Sequence, residues 1–206
     1  MVWSRLYLLV LLLSARPVCA ADWAESFDSI KKAASSVKSV SADFVQHKFL
    51  KILSTPIESH GRFVFRAPDS IRWEYKDPIK SVMIMNHGAL SRYSFHDGKW
   101  KKDAAASVEA LRVVVDEIQS WLTGNFNKSK AFRAELDSNL KRTVVMEPRQ
   151  KAMAKIIQRI VLTLDDRPGC ISRVEIIEGP DARTVLEFGR VEINESLDEK
   201  SFSPPR

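Results

Sequence analysis

Residues 61–78 read GRFVFRAPDSIRWEYKDP, and this stretch decides the fold because large apolar side chains occupy every second position of both halves. Successive residues of a strand point to opposite faces of a sheet, so the two halves are predicted to be paired strands with one apolar face. Residues 67–70 form the predicted turn between them, and Asp77-Pro78 ends the second strand. That face must be covered, either by the protein's own core or by an apolar ligand. It consists of Phe63, Phe65, Ile71, Trp73 and Tyr75.

The rest of the chain predicts two amphipathic helices and a series of strands. Apolar residues recur at helical spacing over residues 22–39 and 107–122, with Ser107 as the start and Gly124 as the end of the second helix. The strands follow one another through short turns such as 86–88 and 96–98, which favours an antiparallel sheet of about ten or eleven strands that curls. The further predicted strands are 82–85, 90–95, 132–136, 142–147, 156–165, 171–178, 183–193 and a short one near Phe202.

Two arrangements of these elements satisfy the pattern. A sandwich or a closed barrel would fill its interior with its own side chains. An open, strongly curved sheet would instead lay its apolar face against the two helices and leave a cavity. Periodicity alone fits both arrangements, and both are mainly β.

The first 20 residues are typical of a secretory signal peptide. Arg5 supplies a positive charge, residues 6–13 form an apolar run too short to span a bilayer, and residues 18–20 place small side chains at a cleavage site. A lipoprotein signal is the alternative because of Cys19, but Arg and Pro before that cysteine are untypical of such signals. Cleavage after Ala20 leaves residues 21–206, which are predicted to form one soluble, monomeric domain in the periplasm.

Composition and motifs give little indication of an enzyme, a metal site or nucleic-acid binding. The whole chain has a mild net charge of +6, and after removal of the signal peptide Cys170 is its single cysteine, which excludes an intramolecular disulfide. We expect Cys170 to be a packed thiol. The chain has no nucleophile elbow, zinc-protease motif, C-x-x-C pair or glycine-rich phosphate loop, and its four histidines are scattered. No catalytic residue, metal or cofactor is therefore predicted.

Several motifs, in order along the chain, resemble the LolA group of periplasmic lipoprotein carriers. They are S-x-x-A-D-F-x-Q at residues 39–46, G-x-F-x-F-x-x-P-x-x-I-R-W-E-Y-x-x-P at 61–78, the N-H-G turn at 86–88 and F-x-P-P at 202–205. The resemblance implies an unclosed half-barrel of antiparallel strands, a helical lid and an apolar cavity that holds the acyl chains of lipoproteins. It also implies that an inner-membrane ABC exporter supplies the cargo and that an outer-membrane receptor of the same fold accepts it.

The resemblance turns the apolar patterns into predicted ligand-binding residues. On the sheet these are the five residues of the hairpin face given above. On the lid they are Leu111, Val115, Ile118 and Leu122, which lie on one stripe of the second helix.

One residue departs from the pattern of the group. The best-known carriers have an arginine directly before the proline of the strand turn, and this arginine helps to hold the lid closed. Here that position is Ala67, and Arg66 lies one residue earlier, where a strand side chain points to the opposite face. We therefore expect a lid held mainly by the apolar contacts of the helix.

Two alternatives to a lipoprotein carrier follow from the same residues. The cavity could serve another envelope lipid, such as a glycolipid or a pigment lipid. The protein could also be a self-filled β domain that acts as an interaction module in the cell envelope.

Overall fold

The computed structural model describes residues 24, 26–109 and 111–206, so the predicted signal peptide, residues 1–20, lies outside the described part. The helices are α1 (Phe27–Ala34), α2 (Ala105–Glu109), α3 (Arg112–Leu122) and α4 (Lys151–Ala154), with 3-10 turns at Phe126–Lys128 and Glu199–Phe202. The strands are β1 (Ser39–Leu50), β2 (Ile57–Arg66), β3 (Ser70–Asp77), β4 (Ser81–Asn86), β5 (Ala89–His96), β6 (Lys99–Lys102), β7 (Phe132–Leu136), β8 (Thr143–Pro148), β9 (Arg159–Leu164), β10 (Ile171–Gly179) and β11 (Ala182–Ile193).

All of these strands form one antiparallel sheet. Its order is β6-β5-β4-β3-β2-β1-β11-β10-β9-β8-β7, so β1 and β11 pair at the centre and β6 and β7 are the two edges. Within the described residues the edge strands do not pair with each other, and the sheet is not closed into a barrel. The prediction of a mainly β fold with one large, unclosed antiparallel sheet and few helices is confirmed.

The hairpin of residues 61–78 has the predicted register. Phe63 lies opposite Trp73 and Phe65 opposite Ile71, while Arg62 lies opposite Glu74. We call the face that carries these apolar residues the inner face. It belongs to a large buried cluster that also contains Val115 and Ile118 of α3.

The outer face of the sheet has a smaller cluster of its own. Val64, Val82 and Ile84 are buried there beneath Phe202, which comes from the 3-10 turn near the C-terminus. Phe202 therefore packs against the sheet as part of a 3-10 turn, and the prediction of a last strand at this position is wrong. One apolar residue in a polar segment was enough to anchor the segment, but not to specify strand pairing.

The first helix is shorter than predicted. α1 covers Phe27–Ala34, and the chain enters the sheet at Ser39, where Val40 pairs with both Phe65 and Ile193. Pairing on both sides of β1 outweighs the apolar helical spacing that continues to Val37, because successive β1 residues form ladder hydrogen bonds alternately with β2 and β11.

The second predicted helix is two helices. α2 ends at Glu109 and α3 begins at Arg112, and Ser107 lies inside α2 rather than capping a single longer helix. The interruption lets α2 contact β5 while α3 lies over the inner face, where Val115 and Ile118 are buried. Gly124, with φ of +68°, follows the end of α3, as the sequence predicts.

A glycine lets a large ring cross the inner face. A Cβ atom added to Gly61 would lie 2.2 Å from the Phe44 ring of the neighbouring strand and 2.2 Å from the Glu74 carbonyl oxygen. The absence of a side chain at Gly61 therefore allows Phe44, which is 2 % exposed, to lie flat over β2.

Candidate functional site

A cavity of about 320 Å³ lies between the inner face of the sheet and α3. This volume is within the range usual for sites that bind small molecules. Most of its lining is aliphatic or aromatic. The lining residues are Val40, Ala42, Gln46, Phe63, Trp73, Tyr75, Ser81, Met83, Arg92, Leu111, Val114, Ile118, Trp121, Leu122, Gly169, Cys170, Ile171, Val174, Ile176, Thr184, Leu186, Phe188 and Val191.

The strand register shows how the cavity is placed along the sheet. We call the end that carries the 67–69 turn the lid end and the end that carries the 51–56 turn the distal end. Three rows cross β2, β3, β4 and β5 from the lid end to the distal end: Phe65–Ile71–Met85–Leu90, then Phe63–Trp73–Met83–Arg92, then Gly61–Tyr75–Ser81–Ser94. The first row is core, since Ile71 is fully buried, whereas Trp73 and Tyr75 in the next two rows are partly exposed to the cavity.

Six of the nine residues predicted to bind acyl chains line this cavity: Phe63, Trp73, Tyr75, Leu111, Ile118 and Leu122. The other three, Phe65, Ile71 and Val115, are at most 1 % exposed and lie in the core beside it. Alternation along a strand shows which face of the sheet a side chain lies on, but not whether it lines the cavity or lies in the core beside it. The sequence therefore could not separate the two groups. Acyl binding by any of them stays a prediction.

The sequence reasoning missed the lining from the second half of the sheet. Val174, Ile176, Leu186 and Phe188 come from β10 and β11 and line the cavity together with the hairpin residues. Apolar residues at every second position of 171–178 and 183–193 predict strands, but they do not show that these strands line the cavity. Without the knowledge that β11 pairs with β1, nothing in the pattern places Phe188 beside Trp73.

Aromatic rings form a continuous cluster on this wall. The Phe44 ring centroid lies 5.1 Å from that of Trp73 and 5.2 Å from that of Tyr75, and the Phe188 centroid lies 6.1 Å from that of Trp73. Rings at such distances in tilted or edge-on orientation attract one another and hold the wall in shape.

The polar groups of the cavity are few. The Tyr75 hydroxyl donates a hydrogen bond of 2.8 Å to Gln46 Oε1. Burial raises the pKa of Tyr75, and the positive charge of nearby Arg92 partly opposes this. Burial also raises the pKa of Cys170 to about 11, so this thiol stays protonated at neutral pH and serves as a packed side chain.

Two hydrogen bonds tie α3 to the rest of the molecule. Gln119 Nε2 donates to the Pro68 carbonyl oxygen at 3.0 Å, which fixes the helix to the turn between β2 and β3. The Ser129 hydroxyl donates to Glu117 Oε1 at 2.7 Å. Both add to the apolar contacts that were expected to be the main attachment of the lid.

Arg66 does not latch the lid. Its guanidinium forms an ion pair with Glu199 at 2.5 Å and lies 4.7 Å from the centroid of the Phe202 ring, on the outer face. This is the face that its position one residue before Ala67 requires. The contact between the lid and the strand turn is made instead from the helix side, by Gln119.

The described residues contain neither a helix that could span a membrane nor a cluster of metal-binding side chains. No helix in this part of the chain combines the length and the apolar character needed to cross a membrane. Likewise, no group of three or more His, Cys, Asp or Glu side chains in residues 24, 26–109 and 111–206 is arranged to hold a metal ion.

Comparison with known proteins places this cavity in a family context. The model of the family described as "Outer membrane lipoprotein carrier protein LolA" matches residues 35–205. The chain belongs to the LolA family. A protein named outer-membrane lipoprotein carrier protein, from Nitrosospira multiformis, is 26 % identical over 187 residues, which cover 88 % of this chain and 86 % of that protein.

Solved structures with similar folds include two bacterial proteins. A LolA superfamily protein from Nitrosomonas europaea has a TM-score of 0.42 and 8 % identity, with 87 % of this chain and 98 % of that chain covered. A DUF1329 family protein from Desulfovibrio piger has a TM-score of 0.46 and 10 % identity, with 86 % and 97 % covered.

Membership of the LolA family indicates the general kind of activity. Its carriers are periplasmic proteins that bind and transport lipoproteins rather than catalyse a reaction. The specific cargo and the specific partners of this chain are a separate question.

Proposed function

We propose that this protein is a soluble periplasmic carrier that shields the acyl chains of lipoproteins between the inner and the outer membrane. Residues 1–20 are removed on export, and residues 21–206 act as one domain and as a monomer. Cargo comes from an inner-membrane ABC exporter and passes to an outer-membrane receptor of the same fold. The observation that carries the proposal is the largely apolar cavity beneath α3, in a member of the LolA family.

The energetics of lipid transfer explain why such a cavity is needed. Each buried methylene contributes about 0.8 kcal/mol, so a sixteen-carbon chain exposed to water costs about 12 kcal/mol. A carrier has to cover most of this surface and still release the chain. A wall of aliphatic and aromatic side chains suits both tasks, because the binding free energy of the acyl chain scales with the apolar area that the wall covers. An acceptor that covers more of the chain can therefore take it over.

Another envelope lipid is the second candidate cargo. In this chain Ala67 replaces the arginine that the group resemblance leads one to expect, and the lid is fastened to the same turn through Gln119 and the Pro68 carbonyl oxygen. This attachment of the lid to the turn uses a neutral donor instead of a guanidinium, and a different attachment of the lid is compatible with a different cargo. Mass spectrometry of lipids and lipopeptides that copurify with the exported protein distinguishes the two cargo classes.

Two neighbouring valines on α3 provide a sharp test of the cavity. Val113 and Val114 are 48 % and 50 % exposed, and of these two residues Val114 lines the cavity whereas Val113 does not. A charge placed against an acyl chain is strongly unfavourable, so Val114→Asp should weaken the binding of an acylated peptide by at least about tenfold. Val113→Asp should bind as the unchanged protein does. Binding is measured by displacement of a fluorescent apolar probe.

The same pair of variants can also contradict the proposal. Equal affinity of both variants for the acylated peptide would mean that the chains bind elsewhere. An absence of probe binding in the unchanged protein would favour a self-filled domain. Circular dichroism of both variants checks that the exposed substitutions leave the fold intact.

A further inference from the structure

We propose that the cavity binds acyl chains that end in an anionic head group, a carboxylate or a phosphate, and that Arg92 binds this head group. The inference rests on the proposed function in that it takes the same cavity as the acyl-chain site. It goes further, because the acyl and glyceryl groups of a lipoprotein are neutral and do not require a cation. The observation behind it is a charged side chain in an otherwise uncharged lining.

Arg92 lies on the inner face, in the row Phe63–Trp73–Met83–Arg92. Of the described residues that line the cavity, it is the one that carries a charge at neutral pH. Its side chain is 40 % exposed. The guanidinium therefore stands at the wall of an apolar cavity, accessible to a molecule inside it.

The hydrogen-bond donors of Arg92 are largely unused. A guanidinium has five N–H donors, and here its polar contact is with Asp103, at 3.5 Å between Nε and Oδ2, which is longer than a normal charge-assisted hydrogen bond. Asp103 in turn accepts a hydrogen bond of 2.9 Å from the Ser94 hydroxyl. Apart from this ion pair, the described residues make no hydrogen bond to the Arg92 side chain.

The place of Arg92 in the lining sets the direction of the ligand. The polar groups nearest to it are Tyr75 and Ser81 in the next row, and Gln46 accepts the Tyr75 hydrogen bond. The side chains that α3 contributes to the lining are apolar, among them Ile118 and Leu122. An amphiphile therefore fits with its tail under α3 and its head near Arg92.

The chemistry of arginine favours an anion over a neutral polar group. The planar guanidinium matches the oxygens of carboxylates and phosphates in a two-point contact, and this contact strengthens away from bulk water. A free fatty acid and a phospholipid both supply such a head group. They differ in whether it is a carboxylate or a phosphate.

The test measures displacement of the neutral probe N-phenyl-1-naphthylamine by three twelve-carbon ligands: dodecanoate, dodecyl phosphate and dodecanol. We expect one or both anions to bind the unchanged protein about tenfold or more tightly than dodecanol. In Arg92→Met this advantage should disappear while dodecanol binds as before, and Arg92→Lys should keep part of it. A stronger effect with dodecanoate supports a fatty acid, and one with dodecyl phosphate supports a phospholipid.

Arg62 supplies a matched control. Its side chain is 43 % exposed and also lies near carboxylates, with Asp43 at 3.9 Å and Glu192 at 3.7 Å, but it points to the outer face. Arg62→Met should leave the anion preference unchanged. Equal binding of all three ligands by the unchanged protein, or a preference that persists in Arg92→Met, would overturn the inference and leave the proposed carrier function standing. Failure of all three to displace the probe would overturn both.

Discussion

Glu117 shows how one buried side chain connects the lid to the sheet. It is 8 % exposed, and its Oε1 accepts a hydrogen bond from Ser129, whose hydroxyl also accepts one of 2.9 Å from the Phe132 backbone N–H. Its Oε2 is buried without a hydrogen bond to the described residues. A carboxylate in this position is destabilised by the loss of water, whereas a protonated carboxyl is not.

The pH dependence of stability should reveal this carboxyl. Burial raises the pKa of Glu117 above 4.5, and the Ser129 hydrogen bond opposes the rise only in part. The folded state therefore holds the proton more tightly than the unfolded chain, so the contribution is full below pH 4.5 and is lost as pH rises through the folded-state pKa. Glu117→Gln should flatten this decline, as measured by urea unfolding at a series of pH values from 4 upward.

Asp116 is the control for this experiment, because it is exposed and adjacent on α3. Asp116→Asn should change the free energy of unfolding little and should lessen its dependence on pH far less than Glu117→Gln does, because the charge of Asp116 is the smallest of the contributions to the raised pKa of Glu117. If Glu117→Gln and the unchanged protein lose stability in parallel as pH rises, Glu117 is not the group responsible.

At the scale of elements, turn chemistry predicted the strands better than it predicted the helices. The turns at 86–88 and 96–98 contain His87 and Gly88, and Asp97 and Gly98, all with positive φ, and this is the conformation that such residues favour in two-residue hairpins. Alternation between turns therefore predicted the limits of most strands within a few residues, whereas β1 and β6 were not predicted. The split between α2 and α3 was not predictable, since their apolar stripe is continuous and the break depends on contacts with β5.

The candidate site, like the secondary structure, was predictable from the sequence in part. The alternating hairpin identified the inner face, and helical spacing identified the side of α3 that faces it. The pattern gave no information on the contribution of β10 and β11, because that depends on which strands pair across the centre of the sheet. Arg92 was not predicted to line the cavity, because a lone arginine in a strand usually points to solvent.

The attachment of α3 to the strand turn should control how often the lid opens. The Gln119–Pro68 hydrogen bond is exposed, so Gln119→Ala should cost about 0.5–1.5 kcal/mol of local stability. Amide exchange over residues 112–122 should then become about two- to tenfold faster without ligand and should slow again when an acyl ligand is bound.

Two comparisons keep this result specific to the lid. Exchange in β1 should be the same in Gln119→Ala and in the unchanged protein, since the sheet is not involved. Asp116→Ala, an exposed change on the same helix, should leave exchange of residues 112–122 as it was. Unaltered exchange in Gln119→Ala would show that apolar contacts alone hold α3.

At the scale of the whole molecule, the first and the last strand meet at the centre of the sheet. β1 pairs with β11, and Asn194 directly after β11 fastens the segment that leads into β1. Its Oδ1 accepts from the Lys38 backbone N–H at 2.6 Å, and its Nδ2 donates to the Ser36 carbonyl oxygen at 3.1 Å. Its φ of +60° is a conformation that asparagine tolerates better than most residues.

Replacement of Asn194 should therefore destabilise the entire fold. Asn194→Ala removes these side-chain hydrogen bonds and places a less tolerant residue at positive φ, and we expect a loss of about 2–4 kcal/mol in the free energy of unfolding. Asn194→Gly loses the same bonds without the backbone strain and should cost less. Chemical denaturation measures both, and equal losses in the two variants would contradict the role given to the backbone conformation.

The central pairing of β1 with β11 also determines when the sheet can be completed. In the proposed carrier the chain leaves the export channel N-terminus first, so β1 through β6 can assemble as a meander while the edge of β1 waits for β11. If the chain arrives at the rate of synthesis, residues 103–193 take roughly five to eighteen seconds to follow. During that time an unpaired edge and an uncovered aromatic face are exposed together, a combination that favours aggregation. We therefore expect the emerging chain to depend on a holding chaperone until residue 193 has emerged.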